Sequence, residues 1–213
     1  MLLGLARPIS RYRASGPAAL LASLLTLTGC ATQPELLPLE AADGDSWALR
    51  QGALQEIRNW SLGGRVAVSA EGEGWYAGLD WRQAGSSYHL ELRGPLGHGR
   101  LWIDGDEQGV TAVAGDGTVH EGATAEQLLA NAYGWRLPLS GLRYWVRGLP
   151  DPALAVDEIS LDSLGRLGRL RQAGWRISYP NYQDLPGIDL PRTITVEGHG
   201  LSLKLVVDRW QLV

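Results

Sequence analysis

Cys30 is the one cysteine among 213 residues, and its setting points to acylation rather than to a disulfide. It closes the run Leu27-Thr28-Gly29-Cys30: an aliphatic residue, two small ones, then a thiol. Small residues let a signal peptidase approach the backbone, and the thiol can carry a diacylglycerol. Upstream, Arg7, Arg11 and Arg13 form a positive segment, and residues 14–28 are apolar or small and uncharged. That run is short for a bilayer span and matches the apolar core of a secretory signal. Cleavage before Cys30 is therefore expected, with residues 1–29 removed. A secreted chain with one cysteine has no internal disulfide, and lipidation removes the exposed thiol. Ala31 follows, where inner-membrane lipoproteins of Gram-negative bacteria commonly carry aspartate. By that rule of the lipoprotein class, the expected place is the outer membrane, lipid-anchored at its periplasmic face.

The other candidate chemistries fail on spacing. Gly44-Asp45-Ser46 has the start of a lipase nucleophile block, but no strand precedes it and no Gly-x-Ser-x-Gly elbow occurs. Asp104, Asp106 and Gly109 resemble the opening of a calcium loop, yet Gly115 stands where the closing glutamate would fall. His89, His98, His120 and His199 lack metal-ligand spacing. Neither an enzyme nor a metal site is expected, and no cofactor beyond the covalent lipid on Cys30. The formal charge is −4, and the leader takes away three Arg and no acid, so the remainder carries −7. Such a chain, without a basic block, is excluded as a nucleic-acid binder. It should not lie electrostatically on anionic lipid either. Membrane contact has to come from acyl chains or apolar wedges.

One such wedge is visible. Gly94-Pro95-Leu96-Gly97-His98-Gly99 joins two strand-like segments, and Leu96 sits at the tip where a polar residue is the default. It could enter a bilayer or meet a hydrophobic cargo, or be one of the scattered exposed leucines of any surface. Nine Trp and no Phe suggest a lined cavity or interface beside plain core packing.

The elements that would position these residues follow from periodicity. Residues 30–45 carry two Pro and several acids without a pattern, which predicts a lipidated tether ahead of a single domain over 46–213. Ser46 is placed to cap a helix with an apolar stripe of Trp47, Leu54, Ile57 and Trp60. After Gly63-Gly64 the period becomes two. Strands are predicted around Val66 and Val68, Trp75 to Trp81, Tyr88 to Leu92, Leu101 to Ile103 and Val110 to Val113. Thr124-Ala125-Glu126-Gln127 is a capping-box pattern, opening a helix that stops at Gly134. A second helix is predicted over 140–146. Strands resume near 156–161, 166–171, 174–179, 193–197 and 201–208. The fold class is mainly β: about eleven short antiparallel strands in a strongly curled sheet, with helices over its open side.

Pieces along nearly the whole chain resemble the LolB family of outer-membrane lipoprotein receptors. They are Gly64-Arg65, Leu79-Asp80-Trp81, Gly94-Pro95-Leu96-Gly97, Leu137-Pro138-Leu139 with Leu142 and Trp145, Gly148-Leu149-Pro150, Gly174-Trp175, Tyr179 with Tyr182, Leu190-Pro191, and Leu203-Lys204-Leu205 ending in Trp210. The resemblance implies an incomplete, half-open β-barrel with a helical lid over a hydrophobic cavity. It also implies a role: taking lipoproteins from a soluble LolA-like periplasmic carrier and placing them in outer-membrane lipid. On that reading Cys30 bears N-acyl and S-diacylglycerol groups. Trp75, Leu79, Trp81, Leu90, Leu92 and Trp175 help line a cavity for acyl chains, Trp145 lies on the lid, and Arg65 latches it. Leu96 disturbs the membrane, and the protein acts as a monomer. Three alternatives stay open: a lipid-active enzyme, a structural outer-membrane lipoprotein with a solid core, and a lipoprotein that carries another amphiphile.

Overall fold

The computed structural model describes residues 35–41, 44–70, 72–95 and 99–213. Cys30 and Leu96, with the leader, lie outside the described residues. From Pro34 onward the chain clusters as one unit.

Strand β1 is Leu37–Pro38, followed by a 3-10 turn over Leu39–Ala41 and helix α1, Gly44–Glu56. A meander follows: β2 (Asn59–Ala70), β3 (Glu73–Ala84), β4 (Ser87–Arg93), β5 (Arg100–Gly105), β6 (Val110–Ala114) and β7 (Val119–Gly122). Helices α2 (Ala125–Tyr133) and α3 (Leu139–Trp145) come next. A second meander comprises β8 (Val156–Leu161), β9 (Leu167–Gln172), β10 (Trp175–Leu185), β11 (Ile188–Gly198) and β12 (Leu201–Leu212).

All pairings are antiparallel, and the order is β1-β8-β9-β10-β11-β12-β2-β3-β4-β5-β6-β7. The two meanders therefore join along β12 and β2, while β1 and β7 remain as separate edges of an open sheet. The expected mainly-β class with an unclosed sheet is what the chain adopts, with twelve strands among the described residues rather than about eleven.

Period two explains which face is inside. Ala77, Leu79 and Trp81 of β3 and Leu201, Leu203, Leu205 and Val207 of β12 are buried, as alternate side chains of a half-buried strand must be. The outer face carries their charged neighbours. There Asp80 pairs with Arg93 and Arg209, and Glu91 with Arg93 and Arg100.

Three segments depart from the sequence reading. Leu37–Pro38 pairs with Ser160–Leu161 inside the stretch expected to be a tether; a proline is tolerated there because β1 is an edge. The helix spans Gly44–Glu56, so Ser46 lies in its first turn rather than at its cap, and Trp60 of the expected apolar stripe belongs to β2. The sheet also continues through β10 and β11 across residues 180–191. There Pro180 sits at a register shift between Ser178 and Asn181, the kind of place a strand accommodates proline. Gly187, at φ 88°, makes the turn between the two strands.

The helices are fixed by specific polar contacts. Thr124 caps α2 by accepting the Gln127 backbone N–H at 3.2 Å, and Gly134 ends it in the left-handed region at φ 71°. Glu126 reaches forward to accept the Ser140 N–H in the first turn of α3 at 2.7 Å. Helix α3 is tied to α1 by Arg147, whose guanidinium donates to the carbonyls of Leu54 (3.1 Å) and Ile57 (2.6 Å). Helix α1 reaches the sheet through Arg50, which donates to the Asp189 carbonyl at 2.6 Å.

Candidate functional site

The inner face of the sheet and the two central helices enclose an apolar space. The sheet contributes Val66, Trp75, Leu79, Trp81, Leu90, Leu92, Ile103, Leu203 and Leu205; the helical segment contributes Leu129, Leu137, Leu139, Leu142 and Val146. Every one of these side chains is apolar, and their spacing shows why they meet. On the strands they alternate with outward polar residues, and Leu139, Leu142 and Val146 recur at helical intervals on one face of α3.

Two tryptophans shape the walls. Trp75 stacks on Trp135, at 4.6 Å between centroids and 24° between planes, which sets β3 against the α2–α3 connection. Trp81 donates its indole N–H to Gln83 Oε1 at 3.1 Å, so its polar group is satisfied within β3 and its ring can face leucines. Behind it Trp60 packs at 5.1 Å on Trp81 and at 5.4 Å on Trp210.

The open volume is about 40 Å³. Pockets for drug-sized ligands span roughly 300–1,000 Å³, so the helices rest closed on the sheet. A ligand of that size can enter only by displacing side chains or a helix.

Five of the six residues expected to line a cavity lie around this space: Trp75, Leu79, Trp81, Leu90 and Leu92. Trp145, expected on the lid, sits on α3, fully buried, with its indole donating to Gln172 Oε1 at 2.9 Å. Trp175, on β10, is outside the lining. It packs at 6.2 Å on Trp145 and at 4.8 Å on His199, forming core beneath the lid rather than cavity wall.

Arg65 does not latch the lid. Its side chain is 70% exposed and pairs with Asp208 of β12 at 3.0 Å. The reason is parity: Val66 faces the helices, so its neighbour in β2 must face outward. Of the hairpin carrying Leu96, the described base is closed by the Gly94 N–H on the Gly99 carbonyl at 2.8 Å.

Two polar residues that periodicity does not single out position α3. Gln172 of β9 accepts from Trp145 Nε1 and from the Asp151 N–H, both at 2.9 Å, and donates to the carbonyls of Asp151 (2.8 Å) and Leu154 (3.0 Å). All four of its bonding positions are used. Arg147 is the other; nothing in a lone arginine between Val146 and Gly148 signals burial. Asp106 accepts the N–H groups of Gln108 and Gly109 in the β5–β6 turn, and no group of three or more metal-ligating side chains occurs among the described residues.

The family model described as "Outer membrane lipoprotein LolB" matches residues 58–210. The outer-membrane lipoprotein LolB of Nitrosococcus oceani is 44% identical, over 91% of this chain and 96% of that protein. Its counterpart in Halorhodospira halophila is 38% identical over 91% and 93%. That of Pseudomonas aeruginosa strain LESB58 is 37% identical over 89% and 92%. Among solved structures, a domain from Vibrio parahaemolyticus assigned as an outer membrane lipoprotein-sorting protein superposes with TM-score 0.50 at 9% identity, covering 78% of this chain and 90% of that one. At such low identity the match speaks to the fold.

Proposed function

The chain belongs to the LolB family of outer-membrane lipoproteins, and from that premise we propose that it receives lipoproteins by their acyl chains and passes them to the membrane that holds it. Its place is the outer membrane, as a lipid-anchored protein with a role in lipoprotein localisation. The observation that supports acyl binding is the continuous apolar lining shared by the sheet and helices α2 and α3.

The physical need is clear. Up to three acyl chains of roughly fifteen methylenes, at ~0.8 kcal/mol each, would cost about 35 kcal/mol to expose to water. The anchor must therefore move from one apolar shelter to the next. In this reading a LolA-like periplasmic carrier delivers the cargo, and the helices part as the chains enter. No nucleotide-binding motif is present in the sequence, so transfer runs down an affinity gradient from carrier to receptor to bilayer. Cys30 carries the receptor's own anchor, and Leu96, in the Gly- and Pro-rich segment that follows β4 in sequence, perturbs the membrane at release. The protein works as a monomer and carries out no bond chemistry.

The test uses residues 30–213 with Cys30→Ala, mixed with a carrier loaded with a labelled lipoprotein. The label should move to this protein without ATP. Label that stays on the carrier, while a free acyl probe still binds, would point to a protein for another amphiphile. Binding of neither would leave a structural lipoprotein. Leu96→Glu should preserve uptake and impair delivery into vesicles; equal loss of uptake would remove the wedge role.

A further inference from the structure

Trp81 and Leu139 form a wall shared by the apolar cavity and a neighbouring cleft of about 270 Å³, which Tyr88, Val110, Ala125 and Arg143 also line. Arg143, Ser86 and Glu107 then belong to a second cleft of about 330 Å³ that includes Arg58, Arg147 and Tyr144. Three guanidinium groups thus line a cleft one wall removed from the cleft that borders the leucine-lined cavity.

Among the described residues none of the three forms an ion pair, whereas Arg65, Arg93, Arg166 and Arg209 each sit on a carboxylate. Arg147 is only 7% exposed, and its charge is met solely by carbonyl oxygens and the face of Tyr144, 5.5 Å away. Burial, with Arg143 nearby, draws its pKa below the ordinary value. Arg143 donates to the Tyr144 hydroxyl at 3.0 Å, while its buried Nε has no acceptor.

Asp106, Glu107 and Glu126 line the intervening cleft, so the excess of positive charge belongs to the outer, arginine-lined cleft and not to the passage between. Glu107 alone adds a carboxylate to the arginine-lined cleft. A net positive pocket in a chain of formal charge −4 calls for an anion, and a guanidinium fork matches phosphate oxygens.

We infer that this arginine-lined cleft holds the phosphate of an amphiphile whose acyl chain lies in the apolar space, so that the protein takes single-chain phospholipids besides lipoprotein anchors. The inference rests on the acyl-binding reading above. A lipoprotein's thioether-linked glyceride is uncharged at its head and makes no use of these arginines.

Three probes separate the possibilities, each titrated against the Cys30→Ala chain and followed by its intrinsic tryptophan fluorescence. They are palmitoyl glycerol, palmitoyl lysophosphatidylglycerol and inorganic phosphate. The anionic amphiphile should bind about tenfold more tightly than the neutral one. That ratio should fall towards one in Arg58→Gln and Arg143→Gln and rise in Glu107→Gln. Equal binding of the two amphiphiles, or a ratio that survives both arginine substitutions, overturns the headgroup site alone. Failure of both amphiphiles to bind removes the acyl-binding reading together with it. Displacement of the lysophospholipid by inorganic phosphate at equal concentration makes this a free-phosphate site and removes the amphiphile.

Discussion

At the scale of single residues, burial and partner count decide what a side chain is worth. Gln172 is fully buried and saturates four bonds. Gln172→Leu keeps the volume but strips partners from the Trp145 indole and from Asp151. Each orphaned buried group costs about 1–3 kcal/mol, so the variant should lose about 3 kcal/mol or more, read as a lower urea midpoint at unchanged slope. Arg65 is the opposite case. Its pair with Asp208 is 70% and 45% exposed, and such pairs contribute at most ~1 kcal/mol. Arg65→Ala should shift stability by less than that and leave acyl-probe binding intact; a large loss of binding would restore a latch role. The resemblance had attached Arg65 to the lid, although its parity with Val66 already places it on the far side of β2. Alternation of adjacent residues is stronger information about facing than motif membership.

At the scale of elements, the lid has two unequal halves. Helix α3 is bolted down by Gln172 through Trp145 and by Arg147 through the end of α1. Helix α2 shows no side-chain hydrogen bond to the sheet among the described residues. It rests on Ala125, Leu128 and Leu129 and on the stacking of Trp135, just beyond it, on Trp75. Apolar contact without directional bonds can slide open at lower cost, and regions of that kind exchange amide hydrogens early. Amides of α2 should therefore exchange well before those of α3, and acyl-probe binding should alter α2 first; uniform protection across both helices would count against a moving α2. Much of this architecture was legible in the sequence, because half-buried strands announce themselves by alternation and α2 by its cap and terminal glycine. What escaped had physical causes. Pro38, Pro180 and Pro191 mask strand character at an edge, at a register shift and within β11. Meanwhile Gln172 and Arg147 matter through partners brought in from distant segments.

For the whole molecule, buried Tyr179 and partly buried Tyr88 and Tyr182 tie stability to alkaline pH. Burial, aided by Glu126, pushes the Tyr88 hydroxyl up to about 12, and burial drives Tyr179 and Tyr182 up as well. The unfolded chain releases these protons near pH 10, while the folded protein keeps them. Their contribution is complete below about pH 10 and is lost progressively as pH rises towards and beyond 12. The melting temperature of the Cys30→Ala chain should fall over that interval, and Tyr88→Phe should flatten part of the fall. A melting temperature constant from about pH 10 to 12 would contradict the burial of these hydroxyls.

The junction between the two meanders has a consequence for how the polypeptide comes to exist. Ala70 pairs with Leu201 and Trp60 with Leu212, so the strand that completes β2 is made long after it. During synthesis and export, β2 waits with one row of amides and carbonyls uncovered, and β3 to β7 can assemble against its other side only. Long-range closure of this kind is slow, and an unpaired strand is open to adventitious pairing. A nonsense mutation at Leu201 would not shave an outer strand from the sheet; it would leave two half-sheets with nothing between them.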